Sequence, residues 1–409
     1  MRRLTVFLNE HPVGILGQDR NGLLEFSYIP LWLESRESTP LSRMLPLQPE
    51  PFRGKDARAF FAGILPDEGV RHQIASILGI SERNDFAMLE LIGGDCAGAV
   101  SLLPVGKAPK KTAETTRPLD QQELSRIVKL LPRRPLLAGE RGVRLSLAGS
   151  QTKLPIVKQN GSFALPLGNS PSTHIIKPEP ERFSGLVANE LFCMRLARKI
   201  GLKVPAVAWH QVDQTPCLII ERYDRVLDAS GNVQRLHQED FCQALGFPPE
   251  RKYQQEGGPL LRDSFALLRD WSTLPAIDVR DFLDGLIFNV LIGNADAHGK
   301  NYSFLYSNGE RRLAPLYDLV STIMWPELST VPAMKIGRSR SITRVTATHW
   351  QKMAVECRIG WPMLRDRVSV LCHKLTVVLE RGELIDTSND RTVAHNLTAV
   401  ILERASGTL

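Results

Sequence analysis

An α+β chain in two unlike halves is what this sequence predicts, and three observations carry the prediction. Short apolar stretches punctuated by Asn, Pro and Gly ("LTVFLN", "VGILG", "LLEFSY") fill the first 28 residues and read as strands. Residues 105–120, "VGKAPKKTAETTRPLD", are polar, proline-bearing and poor in apolar side chains, which makes them the best linker candidate. Beyond Tyr223 long helical periodicity dominates, as in "LRDSFALLRD", "RDFLDGLIFNVLIG" and "RVSVLCHKLTVVLERG". At 409 residues the chain exceeds one ordinary core, so two or three domains are expected.

Composition bounds the function classes. Hydrophobic residues at 43% and charged residues at 23% are globular values. A net charge of +7 permits contact with nucleic acid or an acidic partner without demanding it. The start, "MRRLTVFLNEHPVG", is too short in apolar residues for a signal peptide. The most apolar helical stretch, 281–293, carries Asp281, Asp284 and Asn289 and falls short of the ~20 residues a spanning helix needs, so no membrane segment is expected. Six scattered cysteines without a CxxC pair fit reduced thiols in a cytoplasmic protein.

Taken in order, the spacing predicts helices around 56–65 ("DARAFFAGIL") and 85–94 ("DFAMLELIGG", closed by a glycine pair). Residues 141–167 alternate like strands joined by a glycine turn and a "QNGS" hairpin turn. "THIIKP" and "PCLIIERY" are further strands. Between them lies a helix over 184–202 that Ser184 can cap and Gly201 can stop. Phe282, Leu286, Ile287, Val290 and Leu291 recur at helical spacing, which buries one face of a helix that Gly293 ends.

The polar cluster "IGNADAHGKN" (292–301) follows that helix directly. Next come "YSFLY", an "SNGE" turn and "RRLAPLYD", a hairpin with nearly matched arms of roughly 17–20 Å at a rise of ~3.3 Å per residue. Matched arms should return Asp318 beside Asn301. An aspartate to accept a hydroxyl proton (Asp296), with an Asn and a second Asp to hold magnesium, suits phosphoryl transfer. Two other readings stand open: a helix-capping Asp beside a merely polar hairpin, and a zinc or iron site built on Asp296 and His298.

Glu190 offers an independent clue. Its helical neighbours Leu186, Val187, Cys193 and Met194 are apolar, so the carboxylate is partly buried and wants a cation. Lys177 ends the strand before that helix; a strand lysine paired to a helix glutamate is a device for gripping nucleotide phosphates, and the pair taken alone also reads as a snorkelling lysine and an edge-of-face glutamate. Upstream, "RLSLAGSQTK" (144–153) has one glycine between expected strands, and Gly149, Ser150, Gln151 and Lys153 could line a phosphate-covering turn. "IIERYD" (219–224) lies where the two halves join.

"LSLAGSQTK", "THIIKP", "VANEL", "ERYDR", "IGNADAHGKN" and "LYDLVS", in this order, resemble the HipA family of toxin serine/threonine kinases. "FLNEHPVGIL", "LPLQ", "ILPDE" and "CAGAVSLLP" resemble that family's additional N-terminal subdomain, so the likeness covers nearly the whole chain. The resemblance implies a bilobal protein-kinase-like fold: a subdomain over 1–105, an N-lobe over 120–222 and a helical C-lobe over 223–409. It implies Asp296 as catalytic base and Asn301 and Asp318 as Mg2+ ligands. ATP would meet Lys177 with its partner Glu190, a phosphate loop of Gly149, Ser150, Gln151, Thr152 and Lys153, an adenine hinge at Glu221 and Tyr223, and His298. Ser146 matches the family's inhibitory autophosphorylation serine. Thr152 departs from the pattern, which has an acidic residue before the lysine, and the chain is somewhat short for the family. The implied partners are a HipB-like helix-turn-helix antitoxin, operator DNA through that complex, and a translation-related protein substrate such as an aminoacyl-tRNA synthetase. Two readings compete: a catalytically idle corepressor, and a small-molecule phosphotransferase of the aminoglycoside type. Basic residues in 132–144 and 335–344 could meet DNA or an acidic protein, though solvated charge is the commoner fate of such runs.

Overall fold

The computed structural model describes residues 2–109, 116–159, 161–228 and 231–407. The middle of the expected linker (110–115) and Asn160 of the expected "QNGS" turn lie outside the described residues. The linker's described end, Thr116–Leu119, is a strand rather than a tether.

Among the described residues the strands form a five-stranded sheet, a six-stranded sheet, a two-stranded ribbon and a three-stranded sheet. The first is the N-terminal meander Arg2–Leu8, His11–Gln18 and Leu24–Tyr28, closed by Val100–Pro104 on one edge and Phe52–Arg53 on the other. Leu4, Val6 and Leu8 alternate inward, as a half-buried strand requires. The helices Lys55–Gly63 and Asp85–Ile92 stand where the spacing put them, and Asn84 caps the second by accepting from Ala87 N at 3.0 Å.

The six-stranded sheet runs, by position, Val207–Val212, Thr215–Glu221, His174–Pro178, Leu154–Gln159, Ser162–Pro166, Thr116–Leu119. One apolar cluster joins it to the meander, from Leu4 and Phe26 through Leu145 and Leu154 to Ile219. A second cluster gathers the helices of the C-terminal half around Phe241, Phe282, Trp350 and Leu371.

Four local expectations are corrected. Residues 141–153 are not a strand: a single parallel bridge, Asp95 to Leu145, is all the pairing there. The segment instead spends its polar groups on the N-terminal subdomain, with Arg144 donating to the carbonyls of Glu90 and Leu102 at 2.8 and 2.9 Å. Ser184 does not cap the helix Leu186–Lys199. The Glu179 carboxylate does so, accepting from Val187 N at 2.7 Å and from Gly185 N, a stronger partner for the positive helix end than a hydroxyl.

The helix Pro275–Ile292 is buried all round from Phe282 to Ile292, not on one face, because helices pack on several sides of it. Its polar members are paired: Arg367 grips Asp284 through two bonds of 2.8 and 2.7 Å. Gly293 ends it at φ +74°, where an added Cβ would meet Ile323 at 2.3 Å. Finally, the returning arm of the hairpin stops at Leu313, since Pro315 has no N–H to continue the ladder. The strand His237–Asp240 flanks Ser303–Ser307 on its other side.

Candidate active site

A cleft opens where the six-stranded sheet, the helical half and the N-terminal subdomain meet. Its walls include Gly63, Ile64 and Asp67, then Leu147–Gly149 and Lys153, Ile175 and Lys177, Ile220–Asp224, and His298, Lys300, Asn301, Tyr317 and Asp318. Of the residues singled out above, Gly149, Lys153, Lys177, Glu221, Tyr223, His298, Asn301 and Asp318 line it. Ser150, Gln151, Thr152, Glu190, Asp296 and Ser146 do not.

Glu190 sits behind the wall, 1% exposed, and receives the Lys177 ammonium at 2.7 Å. The same ammonium donates to Asp318 Oδ1 at 2.5 Å. Burial works to lower the Lys177 ammonium, but Asp318 and Glu190 outweigh it and raise it above the ordinary lysine range. Asp318 is reached as expected although the strand ends early. Its Oδ2 accepts from Asn301 Nδ2 at 3.2 Å, and Lys177 and Lys153 hold its carboxyl down at about 2 against the opposing effect of burial. The aspartate takes φ +53°, a left-handed backbone that a non-glycine residue adopts at a cost of order 1–3 kcal/mol. Such strain is characteristic of sites where a side chain must be aimed.

The Asn301 amide and the Asp318 carboxylate are hard oxygen donors on adjoining loops, a set that fits magnesium, which keeps waters for its remaining positions. Among the described residues no group of three or more His, Cys, Asp or Glu side chains could hold a metal, so the zinc or iron reading finds no third ligand.

Asp296 stands exposed two residues before His298, which lines the cleft, and shares Tyr253 with it as a neighbour. Enclosure by the surrounding protein pushes its carboxyl above the ordinary aspartate range, and Asp318 and Asp67 add to this against the Tyr253 hydroxyl and Lys252. His298 is buried, and burial reinforced by Lys252 lowers it to about 3, so the ring is neutral at working pH. Its Nδ1 has no partner. Lys153 folds back over Gly149 to donate to the Ala148 carbonyl. Burial is the chief cause that brings its ammonium down to about 8. Gly149, at φ +106°, leaves the room: an added Cβ would meet Lys153 Nζ at 2.5 Å. Tyr223 stacks on Tyr317 with ring centroids 5.7 Å apart, and Tyr317 in turn donates to the Lys300 carbonyl at 2.6 Å. Ser146 is fully buried and donates to the Ile64 carbonyl at 3.1 Å.

Several site residues were not foreseen from sequence. Asn294 bonds Asn289, the Asp296 amide and the Asp318 carbonyl, at 2.8, 3.0 and 3.4 Å, and so ties the two acidic loops together. It lay inside the motif, and its buried position beside Gly293 could have exposed it. Lys252 and Tyr253 carry no local signal, and Asp67 lay inside "ILPDE" with nothing there to point at a lysine so far along the chain. Lys300 reaches to the Gly63 carbonyl at 3.0 Å and to Asp240 at 3.3 Å, and so anchors the N-terminal subdomain to the acidic loop.

The fold and cleft define a bilobal, kinase-like α+β protein. Residues 145–379 match the model of the HipA-like C-terminal domain, and residues 4–103 that of the HipA N-terminal domain. The chain is 47% identical to Y4mE of Sinorhizobium fredii, over 95% of this chain and 93% of that one. It is 33% identical to the serine/threonine-protein kinase toxin HipA of Shewanella oneidensis, over 76% and 72% of the two chains. The solved complex of Shewanella oneidensis HipA, HipB and operator DNA superimposes with a TM-score of 0.86 at 28% identity, covering 98% of this chain and 96% of that one. This chain belongs to the HipA family of toxin serine/threonine kinases.

Proposed function

We propose that this protein is a Mg-ATP-dependent serine/threonine protein kinase, the toxin of a HipA/HipB-like pair. The observation that carries the reading is the meeting of Lys177, Glu190, Asp318 and Asn301 at one corner of the cleft, with Asp296 two residues before His298 of its wall. Lys177 would meet nucleotide phosphates, Asn301 and Asp318 would hold magnesium against them, and Asp296 would accept the proton of an incoming hydroxyl. Magnesium would supply charge neutralisation on the phosphates. His298, neutral and with Nδ1 unpartnered, is free to hydrogen-bond nucleotide or acceptor. Gly149 and Lys153 would close over the phosphates, and Glu221 and Tyr223 would flank the base.

The acceptor would be a translation-related protein, and with its antitoxin the protein would repress its own operon; the solved HipA–HipB–DNA complex supports the partner class. A cytoplasmic setting follows from that role, and among the described residues no helix is long and apolar enough to cross a membrane. Ser146 would be the autophosphorylation site. Its buried hydroxyl requires residues 144–153 to leave their seat before phosphate can reach it. A phosphate there could not re-enter the space beside Ile64, so modification would hold the phosphate loop open and the enzyme off.

The test is incubation with γ-labelled Mg-ATP. The wild type labels itself and a lysate protein, whereas Asp296→Asn binds ATP, melts like the wild type and labels neither. Unchanged labelling by that variant overturns the reading.

A further inference from the structure

Residues 249–257 form an arm of two short 3-10 turns, Pro249–Arg251 and Gln254–Glu256, leading into the helix Leu261–Trp271. Two consecutive side chains of this arm reach opposite walls. Lys252, buried, donates to Asp67 Oδ2 of the N-terminal subdomain at 2.8 Å. Tyr253 donates its hydroxyl to Asp296 Oδ1, also at 2.8 Å. The tyrosine ring is fixed as well: its centroid lies 5.3 Å from that of His298, edge to face, and the Lys252 ammonium stands 5.3 Å from it. The arm is moored at both ends. Arg58 pairs with Glu250, and Gln254 donates its backbone N–H to the Ala333 carbonyl at 2.9 Å.

An exposed carboxylate would sample several rotamers. A single phenol bond on Oδ1 stops that and leaves Oδ2 to accept from an acceptor hydroxyl. Orientation of this kind is worth a great deal, since about 1 Å of misplacement costs roughly a hundred-fold in rate.

We propose that Tyr253 is a positioning residue for Asp296, and that the Asp67–Lys252 ion pair is the strut by which the N-terminal subdomain holds it in place. This rests on Asp296 being the proton acceptor. No covalent step involves Tyr253: it keeps its proton throughout, and burial together with Asp296 holds that hydroxyl well above the ordinary phenol range.

The experiment measures the initial rate of lysate-protein labelling against ATP concentration for the full chain. Tyr253→Phe lowers kcat about ten-fold and leaves KM for ATP within about two-fold and the melting temperature near that of the wild type. Lys252→Met and Asp67→Asn lower kcat by less, in the same pattern. The Lys252→Met/Tyr253→Phe double variant loses no more than Tyr253→Phe alone, because both act through one strut. Wild-type kcat in Tyr253→Phe, a KM that rises in step with the loss, or losses that multiply in the double variant would overturn the inference. If Tyr253→Phe does not fold, Lys252→Met and Asp67→Asn decide the matter in its place: a lowered kcat at unchanged KM supports the strut, and wild-type kcat in both overturns it. Labelling that survives Asp296→Asn would instead sink the base assignment, so the two failures are told apart.

Discussion

Two charge clusters whose members interleave along the chain, Ser172 of one close before Lys177 of the other, use the same chemistry for opposite ends. At the seam between N-terminal subdomain and sheet, Asp95 takes Arg225 and Arg235 on one oxygen at 3.0 and 3.1 Å, and Ser172 Oγ and Arg222 on the other at 2.6 and 3.3 Å. Asp224 beside it takes Arg222 at 3.0 and 2.7 Å and the Gly98 amide at 2.7 Å. Each carboxylate oxygen has a fixed partner, and the charged donors are planar guanidinium forks. Beside Asp318 the cations are Lys177 and Lys153, point charges on four-carbon stems. The acid that faces the opening, Asp318, has a side chain 39% exposed. Fixed forks make a joint. Lysines facing a half-open aspartate make a place where partners can be exchanged, as the proposed binding of a nucleotide and a metal requires.

The largest expected effect tests the joint. Asp95→Ala leaves three buried arginines with one acid fewer and should cost about 3–5 kcal/mol, read as a lower urea midpoint. A variant that unfolds like the wild type would break the contrast. Lys177→Met should act the other way round. Phosphate transfer falls at least about a hundred-fold, while the urea midpoint moves far less than in Asp95→Ala. The reason is that burial already pushes the Glu190 carboxyl upward, so once its ammonium is gone it takes up a proton rather than remain a lone charge. A loss of stability matching that of Asp95→Ala would show the cleft cluster to be another joint.

The smallest effect is one of pH. With its ammonium lowered to about 8 from 10.5, Lys153 is charged below pH 8 and neutral above it in the free protein. ATP affinity, measured by calorimetry, should therefore fall as pH rises through about 8, and Lys153→Met should flatten that limb. Stability runs oppositely. Between about 8 and 10.5 the unfolded chain binds the proton the folded one has lost, so Lys153 makes the ligand-free fold more stable as pH rises across that window.

What could be read from sequence was what local rules govern. The apolar neighbours of Glu190 announced a buried acid needing a cation, and Lys177 supplied it. The Asn308–Gly309 turn announced a hairpin, and the hairpin returned Asp318 to Asn301 even though Pro315 cut the ladder short. Failures came where a long-range contact overrode a local signal. Glu179 out-competed Ser184 as a cap because a full negative charge suits a helix N-terminus better. Residues 141–153 looked like a strand by alternation, but the Ser146 amide, the Arg144 and Gly149 carbonyls and the Arg144 side chain take their partners from the subdomain. The Asp67–Lys252 pair spans 185 residues; no period or spacing in a single sequence could announce it.

The Gly63–Asp67 corner lines the cleft, receives Ser146 and Lys300 on its carbonyls, and shares one apolar cluster with the six-stranded sheet. The first hundred residues are therefore no detachable accessory. Cutting after residue 105 would remove one side of the cleft along with apolar partners of the six-stranded sheet. What was left would be a cleft missing a wall, and a minimal version must keep both pieces, covalently joined or supplied together.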